Sequence, residues 1–516
     1  MRKRWLPIFL IPFLLFNGFN SGTAKAVEKE ERNWQDETIY FLMVDRFNDG
    51  DTSNDFGVNM NDPKAYQGGD FQGIIDKLDY LKDMGFTAIW LTPIFDNEDG
   101  GYHGYWTKDF YKPDEHFGTM EKFKELVKEA HKRNMKIILD FVANHVGPHS
   151  PWLDDPTKKD WFHEKKPILG NGQKSLENGW IYDLPDLNQD NPEVKKYLID
   201  AAKWWIKETD IDGYRLDTVK HVPISFWKDF SKEVKSVKKN FYLLGEVWSD
   251  DPRYIEKYEK AGIDGFVDYP LNGPLRQAFA KPDTSLDRLF TMWDINKNTY
   301  DHPELMGSFL DNHDMKRFTR DMVEAKQFPG TRWQLALTYL YTTPEIPIVY
   351  YGTEIAMDGG NDPDNRRFMN FRANKDLIDY MTKIGELRQQ LPALRRGTMK
   401  LLYEKDGMAV FKREYKKETI VVAINNTSKT QKIEIPEKDL KADKELRGLL
   451  NNDLVKSKDG KYTIIIDREK SEIYALADKT GLNIPFISAL AFVYITFMAF
   501  LYLAWKRGKK KNKNKE

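Results

Sequence analysis

Four short stretches carry the residue types that nucleophilic and acid–base chemistry needs. They are Asp140-Phe-Val-Ala-Asn-His145, Arg215-Leu-Asp217, Gly245-Glu246-Val-Trp248 and Leu310-Asp-Asn-His-Asp314. Read as a strand, Ile211–His221 puts Arg215 and Asp217 on one face and Tyr214 and Leu216 on the other. A guanidinium fixed beside a carboxylate keeps it ionised at low pKa. A surface ion pair is the plain alternative. Here, however, the pair is embedded in apolar sequence, follows a helix-length segment and runs into Lys220-His221. A permanently charged aspartate at the carboxyl end of a strand is equipped to act as a nucleophile. Facing carboxylates that can serve as nucleophile and acid are the equipment of glycoside hydrolysis. No cysteine, Ser-His pair or glycine-rich phosphate loop competes with them.

These stretches require elements that deliver them to one face. Thr38–Phe47 is a continuous apolar run of the kind seen in strands buried on both sides. A helix-length segment with Ile74, Ile75, Leu78 and Leu81 follows, then Ala88–Pro93, an amphipathic stretch over Glu121–Arg133, and the run Lys136–Asn144. This alternation predicts a parallel sheet of right-handed crossovers. Asn191 caps a further helix with Pro192 in its first turn. Val194, Tyr197, Leu198, Ala201, Ala202 and Trp205 form its inward stripe, and Trp204 is either packing or an outer platform for a sugar. The runs Tyr214–Thr218, Phe241–Trp248, Gly265–Leu271, Leu305–Leu310 and Ile346–Tyr351 bring the strands to eight. The expected fold class is therefore α/β, a (β/α)8 TIM barrel over 27–395 with its chemistry at the carboxyl ends of the strands. Residues 145–188 are rich in Pro, Gly, Asn and Trp, show no clear helix, and read as a small domain inserted after the third strand. Over 396–478 the pattern changes to alternating strands, Met408–Tyr415, Thr419–Asn425, Gln431–Ile435, Tyr462–Ile466 and Ile473–Leu476, a C-terminal antiparallel β domain.

Composition narrows the partners. Lys and Arg number 79 against 80 Asp and Glu, with the basic residues spread out except at the C-terminus, which speaks against nucleic acid. The 14 Trp and 25 Tyr suit stacking on sugars. Absence of cysteine excludes disulfides and thiolate metal sites. Residues 1–26 have the layout of a signal peptide: Arg2-Lys3-Arg4, an apolar Leu6–Phe16, and the Ala24-Lys25-Ala26 cleavage pattern. Ile484–Trp505 is apolar throughout, long enough as a transmembrane helix for a ~30 Å hydrocarbon core, and is followed by the basic tail 506–516. Basic residues stay on the cytoplasmic side, so the expectation is an exported catalytic domain anchored in the cell membrane from outside. No obligate protein partner is evident.

The motifs DFVANH, GYRLDTVKH, GEVW and FLDNHD, with LPDLN at 184–188, occur in the order and spacing of the α-amylase family of glycoside hydrolases, which the chain resembles from about residue 36 to the end of the β domain. The endings of the motifs and Trp204-Trp205 are similar to a bacterial subgroup of α-amylases. The resemblance implies Asp217 as nucleophile, Glu246 as acid/base and Asp314 as a third carboxylate that grips sugar hydroxyls. It implies that His145 and His313 bond the reacting sugar and that Arg215 holds Asp217 ionised. His103 and Tyr105 match a substrate histidine and a stacking tyrosine, Lys220 and His221 match contacts on the leaving-group side, and Asp362 and Arg366 match contacts on the non-reducing side. To donate its proton, Glu246 needs a raised pKa.

The resemblance also implies a structural Ca²⁺ held by Asn144, Asp186 and the backbone oxygen of His221. A second Ca²⁺ is implied at Asp49, Asp51, Asn54 and Asp55 with Gly68-Gly69-Asp70, a loop that reads on its own as a turn. The implied activity is retaining endo-hydrolysis of α-1,4-glucosidic bonds in starch and related α-glucans. The alternatives are cyclodextrin or pullulan hydrolysis or glucan transfer on the same machinery, which Tyr182 keeps open, and a catalytically silent sugar-binding ectodomain.

Overall fold

The computed structural model describes residues 31–479 and 484–513, with side chains in the last stretch described over 487–509. The expected signal segment 1–26 and the end of the basic tail lie outside the described residues.

Among the described residues up to Tyr350 there are ten strands: β1 (Ile39–Leu42), β2 (Ala88–Leu91), β3 (Phe95–Asn97), β4 (Thr107–Pro113), β5 (Lys136–Phe141), β6 (Gly213–Leu216), β7 (Tyr242–Gly245), β8 (Gly265–Phe266), β9 (Gly307–Ser308) and β10 (Ile346–Tyr350). Eight of them form a parallel sheet in the order β8-β7-β6-β5-β2-β1-β10-β9. A single parallel bridge, Val267 to Gly307, joins the two ends and closes the ring. The barrel strands are apolar because both their faces are covered; every residue of β1, β2, β6, β7 and β10 is buried.

The helices between them follow the sequence signals. Asp70 caps Phe71–Asp83 by accepting from the Gly73 amide at 2.6 Å, and Ile74, Leu78 and Leu81 face the barrel. Asn191 caps Pro192–Thr209 through the Glu193 amide at 2.8 Å. Trp205 on this helix is fully buried, and Trp204 packs edge-on against Trp205 and Tyr111, so both tryptophans are packing.

Several expected strands are shorter than the apolar runs that announced them. The run Thr38–Phe47 divides into β1 and a helical turn at Val44–Phe47. Gly265–Leu271 divides into β8 and a helix from Tyr269, capped by Asp268. Leu305–Leu310 retains only two residues of strand after a 3-10 turn. An apolar run reports burial, and burial continues where the backbone leaves the sheet. The β3–β4 hairpin, which no expectation contained, precedes the helix Met120–Lys132. The stretch 145–188 is mostly 3-10 turns with one short helix, Gln173–Glu177.

Beyond the barrel, Thr398–Lys405, Met408–Tyr415, Glu418–Asn425, Lys470–Asp478, Lys444–Gly448 and Leu454–Lys456 form an antiparallel sheet in that spatial order, and Gln431–Pro436 pairs with Lys461–Ile466. The helix Ile484–Lys513 contains Ile487–Lys509, which is long and apolar enough to cross a membrane.

Candidate active site

The carboxyl ends of the barrel strands open into a cleft of about 970 Å³. Asp217, Glu246 and Asp314 line it together with His103, Tyr105, His145, Lys220, His221, His313, Asp362 and Arg366, which brings every expected substrate residue except the buried Arg215 to the cleft wall. Asp217 and Glu246 are the first residues beyond β6 and β7, so the strands fix their Cα positions directly. Asp314 comes from the loop after β9, where its amide donates to the Asn312 side-chain oxygen at 2.9 Å.

Arg215 organises the floor. Its Nη1 reaches Asp217 Oδ1 at 2.7 Å and the two oxygens of Asp140 at 3.0 and 2.9 Å, and its Nη2 reaches Glu246 Oε1 at 2.6 Å. One fully buried guanidinium is thus shared among three carboxylates, where the expectation assigned it to Asp217. Asp140 also accepts from Tyr105 Oη at 2.9 Å and Trp90 Nε1 at 3.2 Å. Burial pushes its carboxyl well above the usual range, against the pull of Arg215. Tyr105, held in this way, stacks on His313 with ring centroids 5.1 Å apart. Between His103 and Tyr105, Gly104 adopts φ +90°, and a Cβ there would meet the Pro93 carbonyl at 2.1 Å. Only glycine makes that turn.

The flank beside Asp314 is cationic. Arg366 lies 3.5 Å from Asp314 Oδ1 and 3.0 Å from Asp362 Oδ1, and donates to the Tyr102 hydroxyl at 3.3 Å. Burial, then Glu246, pushes Asp314's carboxyl up, against the pull of Arg366 and Arg215. Burial also drives the histidines down, His103 to about 3, His145 to about 4, and His313 well below its ordinary value. Neutral imidazoles line the site and can both donate and accept.

The other flank belongs to Glu246. Its Oε2 accepts from the Thr218 amide at 2.9 Å, and its Oε1 accepts from Tyr269 Oη at 3.1 Å. Lys220 Nζ donates to the Trp248 carbonyl at 2.7 Å, and Trp248 stacks on Tyr269 at 4.9 Å. Tyr182, at φ +52° and 89% exposed, also lines the cleft. Asp140, Tyr102, Tyr269 and Asn312 carry no role in the sequence reading. Asp140 stood in plain view within its motif, whereas reading Gly265–Leu271 as one strand hides Tyr269 at a helix start.

Of the expected metal ligands, the Asn144 side-chain oxygen lies 3.2 Å from Asp186 Oδ1 and 2.9 Å from the His221 carbonyl. Either the amide is reversed and its nitrogen donates to both, or a cation sits among three oxygens. Calcium ligands at ~2.4 Å and neighbouring angles near ~80° are ~3 Å apart, so the residues fit the ion. Burial pushes Asp186 up to about 7, against the pull of His163. At the second loop, Asn54 Oδ1 and Asp55 Oδ1 are buried without a donor, and Asp55 Oδ1 stands 2.8 Å from where a Cβ on Gly68 would lie. Burial, then Asp55 and Asp51, raises Asp49. The side chains of Asp51 and Asp70 are engaged elsewhere, Asp51 by Ser53 and Asp70 by the amides of Gly50, Asp51 and Gly73. Among the described residues no cluster of three His, Asp or Glu side chains forms a metal site, and both candidate sets are instead mixtures of carboxylate, amide and carbonyl oxygens.

Comparison with known proteins agrees with this geometry. An α-amylase of Anoxybacillus is 66% identical, with a TM-score of 0.87 over 88% of this chain and all of that one. An α-amylase of Geobacillus thermoleovorans, solved in complex with acarbose, is 65% identical with a TM-score of 0.85 over 87% of this chain and all of that one. Among curated relatives, a β/α-amylase of Paenibacillus polymyxa is 38% identical over 89% of this chain, which spans 39% of that protein's length. Others at 32–36% identity are named cyclomaltodextrinase, intracellular maltogenic amylase and cyclomaltodextrin glucanotransferase. The profile of the alpha-amylase catalytic domain matches residues 41–448. With its barrel, its strand-end carboxylates and that match, the chain belongs to the α-amylase family of glycoside hydrolases.

Proposed function

We propose that this protein is a retaining α-amylase that cleaves internal α-1,4-glucosidic bonds of starch-like glucans at a cell surface. The observation that carries the reading is Arg215 touching both Asp217 and Glu246, at 2.7 and 2.6 Å. A carboxylate pair shared by one guanidinium favours the short separation of retaining enzymes, ~5 Å, over the wider ~6.5–9.5 Å of inverting ones. Asp217 attacks the anomeric carbon while Glu246 gives its proton to the departing oxygen. Glu246 then takes a proton from water, which breaks the glycosyl–Asp217 ester and releases the sugar with its α-configuration retained. Asp314, His103, His145 and His313 bond the hydroxyls of the reacting sugar. Asp362 and Arg366 bind the non-reducing side, and Lys220 and His221 bind the leaving-group side.

Ca²⁺ at Asn144, Asp186 and the His221 carbonyl would supply a rigid tie between the inserted segment and the end of β6. A second ion at Asp49, Asn54, Asp55 and Gly68, with Asp51 and Asp70, would brace the loop over 49–70. The helix over 484–505 with its lysine-rich tail supports anchoring from outside. Membrane fractionation of the full chain, with and without residues 484–516, tests this part. Recovery of the full chain in the soluble fraction would sink it.

A second reading, cyclodextrin hydrolysis or glucan transfer, has support in the names of the curated relatives and in the exposed Tyr182 at the cleft. A time course of products from soluble starch, maltooligosaccharides, pullulan and cyclodextrin separates the two. Rapid fall in starch chain length, with the α-anomer formed first, is expected. Cyclodextrin consumed in preference to starch, or cyclic products, would move the assignment, and a β-anomer formed first would overturn the mechanism.

A further inference from the structure

We propose that Tyr269 is a positioning residue for the acid/base Glu246, its hydroxyl proton directed onto the Glu246 carboxylate by Asn312; this rests on the role given to Glu246 above. The direction of each hydrogen bond follows from its neighbours. Asn312 Oδ1 accepts from the Asp314 amide at 2.9 Å, which fixes the orientation of the amide and makes its Nδ2 the group that faces Tyr269. That Nδ2 donates to the Tyr269 hydroxyl oxygen at 3.2 Å. With its oxygen already accepting, the hydroxyl has its own proton free, and the acceptor in reach is Glu246 Oε1 at 3.1 Å. Tyr269 is 5% exposed, and burial followed by the charges of Glu246 and Asp314 keeps its phenol protonated. The ring cannot turn away, because Trp248 stacks on one face and Phe309 meets it edge-on at 5.2 Å.

The consequence concerns both halves of the reaction. Glu246 must present a proton to the leaving oxygen and later accept one from water; Arg215 and Tyr269 both occupy Oε1, so Oε2, which takes only the Thr218 amide, is the oxygen with a lone pair left for chemistry. A hydrogen bond to the charged form of a carboxylate favours that form. Other groups face Glu246 too, namely Arg215, Lys220, His145, His221 and Asp314, and these remain in place when only the hydroxyl is removed.

Tyr269→Phe keeps the ring and its stacking and deletes the donor. In the pH profile of kcat/KM on a maltooligosaccharide, the basic limb is expected to move up by roughly 0.5–1 pH unit, and kcat at pH 7 to fall roughly three- to tenfold. With α-maltosyl fluoride, whose leaving group needs no proton, formation of the glycosyl-enzyme is expected to change less than about twofold. In a Glu246→Gln background, adding Tyr269→Phe should change nothing further on the fluoride. A basic limb that stays in place, or an equal loss on both substrates, or a Tyr269→Phe effect that persists in the Glu246→Gln background, would overturn the proposal. Glu246→Gln that still degrades maltooligosaccharides at the wild-type rate would instead overturn the role of Glu246, a different failure. Equal thermal midpoints for wild type and Tyr269→Phe confirm that the comparison is between folded proteins.

Discussion

Replacing Arg215 by Met removes the cation that Asp140, Asp217 and Glu246 share at the floor of the cleft. The side chain is fully buried, and its guanidinium contacts Asp140, Asp217 and Glu246. Losing one partner of a single buried ion pair costs roughly 3–5 kcal/mol, because a charge is left uncompensated in a poor solvent. Here three carboxylates lose the same partner, so the deficit at alkaline pH is expected to be at least ~4 kcal/mol. The deficit must also depend on pH. Burial already raises the folded-state pKa of Asp140 against the pull of Arg215, and without Arg215 burial acts unopposed. A carboxyl whose pKa is higher in the folded than in the unfolded protein stabilises the fold fully below its unfolded value, ~4, and loses that contribution as pH rises through its folded value. Arg215→Met is therefore expected to melt only slightly below wild type at pH 5 and far below it at pH 8. The same change should lower kcat/KM at pH 7 by ~10³, matching a loss of about 4 kcal/mol in transition-state stabilisation. Thermal midpoints of both proteins at the two pH values decide the matter. A deficit equal at both, or larger at pH 5, would refute the electrostatic account of the floor.

Further expectations follow from the same geometry. A calcium chelator should lower the thermal midpoint of wild type by several degrees, and added Ca²⁺ should restore it, whereas Asp186→Asn should show neither response; a chelator-insensitive wild type would count against the ion. Gly104→Ala forces a Cβ against the Pro93 carbonyl at a positive φ, so it should cost ~1–3 kcal/mol and lower kcat through Tyr105 and His103; kinetics indistinguishable from wild type would contradict that constraint. Trp204→Ala removes edge-on packing against Tyr111 and Trp205 and should destabilise by ~1–3 kcal/mol with an unchanged KM for starch. A raised KM would restore Trp204 as a sugar platform.

The sequence carried the architecture because burial on both faces writes long apolar runs, and eight of them separated by helix-length segments leave few alternatives. It also carried Asp217, Glu246 and Asp314, since each stands at or just past a strand end. What it obscured has physical causes. Apolar runs do not mark where a strand stops, so the turns at Val44 and Tyr269 were hidden inside them. Sharing of Arg215 depends on three strands arriving side by side in register, Asp140 opposite Arg215 on neighbouring strands, which periodicity within one strand does not encode. Tyr102, Asn312 and Tyr269 act through contacts more than 20 residues away in the chain, and nothing local distinguishes them from core.

The ring of strands has a seam. Neighbouring pairs from β2 to β7 share four registered residues each, while β7 and β8 share two, β10 and β9 share two, and β8 meets β9 through one bridge. Fewer ladder bonds mean less free energy to open locally, so backbone amides near Val267 and Gly307 are expected to exchange with deuterium sooner than those of β5 or β6. Tyr269 and Asn312 stand just past that seam on its two sides. The barrel thus places Tyr269 and Asn312, the supports proposed for Glu246, where it breathes most easily, and heat inactivation should begin there, with loss of turnover running ahead of loss of helix.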